Sequence, residues 1–138
     1  MYSNKNTYSK KEKLCSPEVI SLLFENGYSF HSEPFRIVWM QNVDQQPFPA
    51  LSAISVGKKS IKRAVDRNRT KRRIREAWRI KKAILYKQLA DLDMQILLMI
   101  IYTGKRVPDY SYIEEKTQVL LNNFSLHLKE FSGRKKEE

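Results

Sequence analysis

A single cysteine, Cys15, has nothing to pair with inside the chain, so neither a disulfide framework nor a cysteine-rich metal site is available. A reducing, cytoplasmic setting is the expectation that follows. Histidine is nearly as scarce. His31 and His127 stand alone and far apart in sequence, which argues against a two-histidine nuclease working by general acid–base chemistry. Acids do not cluster either. Asp91 and Asp93 are close, but they precede an apolar stretch and read as a turn, so no carboxylate group is in place to hold the metal ions of a phosphodiester-cleaving centre. The longest apolar run, Ile96–Tyr102, falls far short of the roughly 20 residues that cross a bilayer, and no membrane partner is expected. Residues 1–13 are polar and carry no apolar stretch of the secretory-leader kind. There is no internal repeat and no low-complexity block, and nothing points to a small-molecule substrate.

What is present is positive charge in one place. The 138 residues carry a formal net charge of +11, with 26 Lys and Arg against 15 Asp and Glu. Thirteen of those bases, but only two of the acids (Asp66 and Glu76), lie in residues 58–82. Outside that window thirteen bases meet thirteen acids, so all of the net charge sits in 25 residues. A neutral protein with one intensely basic segment is built to meet a polyanion. The length and the 41% apolar fraction fit one domain with its own core.

Local patterns predict the elements around that segment. Residues 1–13 read as a flexible basic arm. Ser16-Pro17-Glu18 offers an N-cap, a proline at the first helical position and an acid in the first turn, predicting a helix over 16–26 that stops at Gly27. Residues 35–40 and 50–56 read as strands, neighbours in sequence and expected to pair antiparallel, with Pro47 and Pro49 between them. A long helix is expected over 60–89. The apolar run over 94–102 suits a strand covered on both faces. A last helix is expected over 111–131, ended by Gly133 and followed by a frayed tail. The order describes a mixed α/β (α+β) two-layer sandwich, a sheet packed by helices.

At about 100° per residue, Ile74, Trp78, Leu85 and Leu89 share one side of the long helix, which should pack on the sheet. Asn68, Arg72, Arg75 and Arg79 form a second stripe roughly 100° away, with Arg69 and Arg73 flanking it. Guanidinium groups match phosphate with two parallel donors and stack on bases. An ordinary solvated face would interleave acids four residues from the bases, and here there are too few. RNA is favoured over DNA because no heptad repeat supports a basic zipper and the strands argue against a homeodomain. A helix backed by a sheet cannot enter the narrow major groove of A-form RNA, so contacts should go to phosphates and local shape.

Ser55-Val56-Gly57-Lys58-Lys59, then Ala64-Val65-Asp66-Arg67-Asn68-Arg69 and Lys71-Arg72-Arg73-Ile74-Arg75-Glu76, resemble the motif of the bacterial ribonuclease P protein component, with Arg67, Asn68 and Arg69 as its Arg-Asn-Arg element. The resemblance spans about residues 10–131. It implies a sandwich like that of a ribosomal-protein domain, with a left-handed crossover between parallel strands, against the usual hand. It also implies that the catalyst is an RNA subunit with bound Mg2+, and that the protein contributes by contacting that RNA and the 5′ leader of precursor tRNA. The RNA-facing residues would be Lys58, Lys59, Arg63, Arg67, Asn68, Arg69, Lys71, Arg72 and Arg75, to which the stripe adds Arg79. A leader cleft would involve Ile20 and Phe24 with Phe35 or Ile37. Ile20 stands where the family often has an aromatic, removing a stacking partner worth roughly 1–3 kcal/mol; Ile20 and Phe24 could equally be plain core. A non-catalytic ribosomal or assembly-type RNA-binding protein is the alternative, and a self-sufficient nuclease a third.

Overall fold

The computed structural model describes residues 8–42 and 45–137, the stretch 134–137 as backbone alone; residues 1–7 of the expected arm lie outside the described residues. After a short 3-10 helix, Lys10–Glu12, the chain forms α1 (Pro17–Asn26), β1 (Tyr28–Ser32), β2 (Phe35–Gln41), β3 (Ala50–Val56), α2 (Ala64–Lys81), α3 (Ala83–Asp91), β4 (Ile96–Tyr102) and α4 (Tyr110–Glu137). Ser16 caps α1 as its sequence requires, its Oγ accepting from the Val19 amide at 3.4 Å. Gly27 leaves the helix with extended backbone, and glycine is needed there because of crowding rather than left-handed backbone: a Cβ would lie 2.5 Å from the Leu23 carbonyl oxygen and 2.9 Å from Val38 Cγ1. At the far end Gly133 does not stop α4. No glycine takes a positive φ among the described residues, so no left-handed cap forms and the helix continues to Glu137.

The four strands run in the order β1-β2-β4-β3. Antiparallel pairing was expected between the strands over 35–40 and 50–56, but β4 lies between them, antiparallel to β2 and parallel to β3. The reason is burial. Six of the seven β4 residues are buried, which only a central strand can achieve. β3 then meets it in parallel because α2 and α3 carry the chain back to the starting edge, and a parallel link needs such a crossover. β1 escapes the sequence pattern because only Tyr28 and Phe30 are apolar in it; it zips onto β2 from Ser32 opposite Phe35.

The two sheet faces are unequal. Phe35, Ile37 and Trp39 of β2, with Ile96, Leu98 and Ile100 of β4, pack into the large core under α2, α3 and α4. Val38, Leu97 and Met99 face the other way, against Leu14 and Leu23, while Met40, Leu51, Ala53 and Ile101 on that side are only half-buried. One face is sealed; the other is partly open beside α1.

The single helix expected over 60–89 starts later and is broken. Residues 58–60 form a turn, with the Ser60 and Ile61 amides both donating to the Gly57 carbonyl at 3.1 Å. The break falls at Lys82, the buried member of the basic run, whose ammonium meets the Glu12 carboxylate. Tyr86 Oη donates to the same carboxylate at 2.8 Å. Glu12 belongs to a segment expected to be a flexible arm, yet from Tyr8 onward that segment is docked. The Leu14 amide donates to the Ser52 carbonyl at 2.8 Å, and Tyr8 Oη hydrogen-bonds the same carbonyl at 2.9 Å. It thereby covers the outer edge of β3, which would otherwise offer unpaired amides and carbonyls. Burial pushes the Tyr8 phenol up to about 12, against which the nearby Arg75 charge acts.

Removing one partner of a buried pair leaves the other charge uncompensated. Glu12→Ala is therefore expected to lower unfolding stability by about 3–5 kcal/mol in urea titration, and replacing both partners with apolar residues (Glu12→Leu with Lys82→Met) should recover most of it.

A basic helix face as candidate nucleic-acid interface

Thr70, Ile74, Ala77 and Trp78 are buried along one side of α2, with Trp78 only 1% exposed. The anchoring seam expected from helical spacing is thus in place, and α3 continues it with Leu85 and Leu89. On the other side Asn68, Arg69, Arg72 and Arg75 are exposed, and Lys58, Lys59 and Arg63 are exposed on the turn leading into the helix. These seven occupy α2's solvent side and its approach. Lys71, Arg67 and Arg79 are half-buried.

Three arginines of the run are hydrogen-bonded to the protein itself, and Arg63 lies 4.0 Å from Asp66. Arg67 Nη1 donates to the Ile61 carbonyl at 3.1 Å and to the Lys62 carbonyl at 2.7 Å, tying the approach turn to the helix. Its position explains this: seven residues before Ile74 is about 20° from it around the helix, close to the buried seam. The spacing carried that signal, but the Arg-Asn-Arg pattern drew it into the RNA-facing set. Arg73 donates from Nη1 to the Pro108 carbonyl, fixing the loop after β4. Arg79 grips Glu76 with two donors, at 2.6 and 3.1 Å, and that hydrogen bonding holds the Glu76 carboxyl below its ordinary range. The pair lies on the surface, where such pairs contribute little to stability.

The second expected set divides. Ile20 is half-buried and packs on the α1 side of the sheet, and Phe24 is 48% exposed on the same helix. Phe35 and Ile37 lie on the opposite, sealed face at 2% and 0% exposure and cannot line a cleft with α1. Strand parity decides it: side chains alternate, so the residues of β2 that face α1's side are Arg36, Val38 and Met40. Arg36, the one charged residue of that strand, marked the less covered side in the sequence. Among the described residues no three His, Cys, Asp or Glu side chains converge where a metal ion could sit. No helix among them is long and apolar enough to cross a membrane.

A protein-family model described as Ribonuclease P matches residues 8–125 of the chain. The ribonuclease P protein component of Porphyromonas gingivalis is 31% identical over 110 residues, covering 80% of each chain. That of Chlorobium phaeobacteroides is 28% identical over 131 residues, covering 88% of this chain and 90% of the relative. Among solved structures, the Staphylococcus aureus RNase P protein superposes with a TM-score of 0.64 at 20% identity, over 82% of this chain and 94% of that one. The Thermotoga maritima RNase P protein gives 0.62 at 23% identity, over 80% and 96%. At those identities the structures establish the fold, a four-stranded mixed sheet packed by helices.

The division among arginines is measurable. Arg72→Ala and Arg75→Ala should each flatten the salt dependence of RNA binding by about one unit of log–log slope, with stability changed by less than about 0.5 kcal/mol. Arg67→Ala should instead cost about 1–3 kcal/mol of stability, since it strips two carbonyls of a charged donor.

Proposed function

The chain belongs to the ribonuclease P protein family, and from that premise we propose that it is the protein subunit of ribonuclease P, binding the catalytic RNA subunit and the 5′ leader of precursor tRNA while the leader is cut away. The observation that carries this reading is the face of α2 on which Asn68, Arg69, Arg72 and Arg75 stand exposed while the opposite side is anchored under the sheet. A rigid row of cations lowers the repulsion between two RNA molecules brought side by side and releases their counterions.

The chemical step belongs, in this proposal, to the RNA. Magnesium would supply charge stabilisation of the in-line displacement, but the carboxylates and histidines of the described residues do not gather into a set that fits it. The protein's own part is to bind and orient. The single-stranded leader fits the half-open sheet face beside α1, where Phe24 offers an exposed ring and Met40, Ala53 and Ile101 a half-buried apolar floor. The working compartment is then the cytoplasm, where the exposed Cys15 remains a thiol.

Precursor tRNA and magnesium incubated with the protein alone, the RNA subunit alone and both together test the assignment. Faster or lower-magnesium cleavage in the mixture is the expected result. Cleavage by protein alone would establish a nuclease instead, and RNA binding with no stimulation would point to a ribosomal or assembly role. In the active mixture Phe24→Ala should reduce the preference for leader-bearing over mature tRNA by roughly tenfold, the order of one base stack; unchanged discrimination by a folded variant would remove the leader from this face.

A further inference from the structure

α4 shows solvent an apolar stripe that the fold itself does not use. The helix is anchored on its inner side by Ile113, Leu120, Leu121, Phe124 and Leu128, each at 1% exposure or less. Yet three of the seven exposed large hydrophobic side chains among the described residues stand on its outer side: Tyr112 at 41% exposure, Val119 at 40% and Leu126 at 62%. They are seven positions apart, and the next step of seven reaches Gly133, also exposed. A step of seven drifts only about 20° around a straight helix, so the four share one outward line.

Gly133 sharpens the observation. Glycine weakens a helix interior, and nothing stands within 4 Å of the place its Cβ would take. No neighbour in the chain calls for the missing side chain; a close approach from outside would.

Charge decides what fits. Residues 110–133 carry three acids and two bases, while the excess of positive charge belongs to residues 58–82. This side therefore offers RNA no cationic surface, and α4 brings little charge repulsion of its own against another copy of the chain. The flanking charges are ordered by sign. On one flank Glu115 precedes Lys129, with Asn122 midway, and all three are exposed. On the other, half-buried Lys116 precedes exposed Glu130, with exposed Asn123 midway.

We infer that the stripe docks a second copy of this chain, the two α4 helices running antiparallel about a two-fold axis between Asn122 and Asn123. Such an axis sets each flank against the same flank of the copy. Glu115 then meets Lys129 of the second copy, and Lys116 meets its Glu130, each contact occurring twice. Between the flanks Val119 packs on Leu126 of the second copy, and the Tyr112 ring lies over the gap at its Gly133. Running parallel, the Tyr112 rings would collide with each other and the two glycine gaps would stay empty; the helix dipoles also favour the antiparallel pair. The asparagines at the axis fix the register, as a polar residue within an apolar seam does. One helix from each copy makes a small interface, so association belongs at micromolar rather than nanomolar concentration. The inference does not depend on the assignment as a ribonuclease P subunit.

Sedimentation equilibrium of the full chain, freed of nucleic acid, from low to several hundred micromolar is the test. The weight-average mass should climb from 16.4 kDa towards twice that value. Leu126→Asp should hold it at the monomer throughout with thermal unfolding unchanged, the side chain being exposed. Glu115→Lys should weaken association by about tenfold, and adding Lys129→Glu should restore it, because that flank pairs with itself only in the antiparallel arrangement. A monomer mass at every concentration would overturn the proposal. So would association that Leu126→Asp leaves untouched, since the contact would then lie elsewhere. A double charge reversal that fails to rescue would rule out the antiparallel pair, and the proposal with it.

Discussion

The burial of Ile74, Ala77 and Trp78 against the sheet is the constraint on which the rest depends. Like charges spaced three and four residues apart repel along a helix, so the sequence of α2 is a poor helix on its own. Tertiary packing compensates. Losing a buried aromatic of the Trp78 kind costs about 3–5 kcal/mol, more than several surface repulsions together. With that seam fixed, the exposed arginines have no freedom to turn away from solvent, and a partner meets a preformed surface rather than one it must assemble.

Other contacts extend this rigidity at both ends. At the C-terminal end Lys82 leaves the basic run, turns inward and joins Glu12 and Tyr86, which also docks the segment from Tyr8 to Leu14 along β3. At the N-terminal end Arg67 and Arg73 spend their charge on carbonyls of the approach turn and the loop after β4. Basic residues in this chain therefore serve two physical purposes. Arg67, Arg73 and Lys82 hold neighbouring segments in position, Arg79 pairs with Glu76, and Arg69, Arg72 and Arg75 stay available to an anion. The unequal sheet faces give the molecule a second working surface, because α1 covers only part of the side opposite α2.

Much of this was legible in residue order. The seam through Ile74 and Trp78, the Ser16 cap, the doubly covered strand ending at Tyr102 and the exposed stripe through Asn68, Arg72 and Arg75 all follow from period and capping. What escaped has physical reasons. Strand partners depend on contacts distant in sequence, so β2 and β3 read as a hairpin although β4 separates them. β1 carries too few apolar residues to announce itself. The helix break and the docked N-terminal segment are two halves of one ion pair spanning 70 positions, invisible to any local window. The family resemblance put Phe35 or Ile37 in the leader cleft, whereas alternation along the strand puts both under the helices.

The central claim is that RNA rests on the outward side of α2. Chemical modification of arginines by a dicarbonyl reagent, read by mass spectrometry with and without ribonuclease P RNA, tests it most directly. The account predicts that Arg69, Arg72 and Arg75 react in the free protein and are shielded together once RNA is added. Continued reactivity of all three at saturating RNA would contradict it.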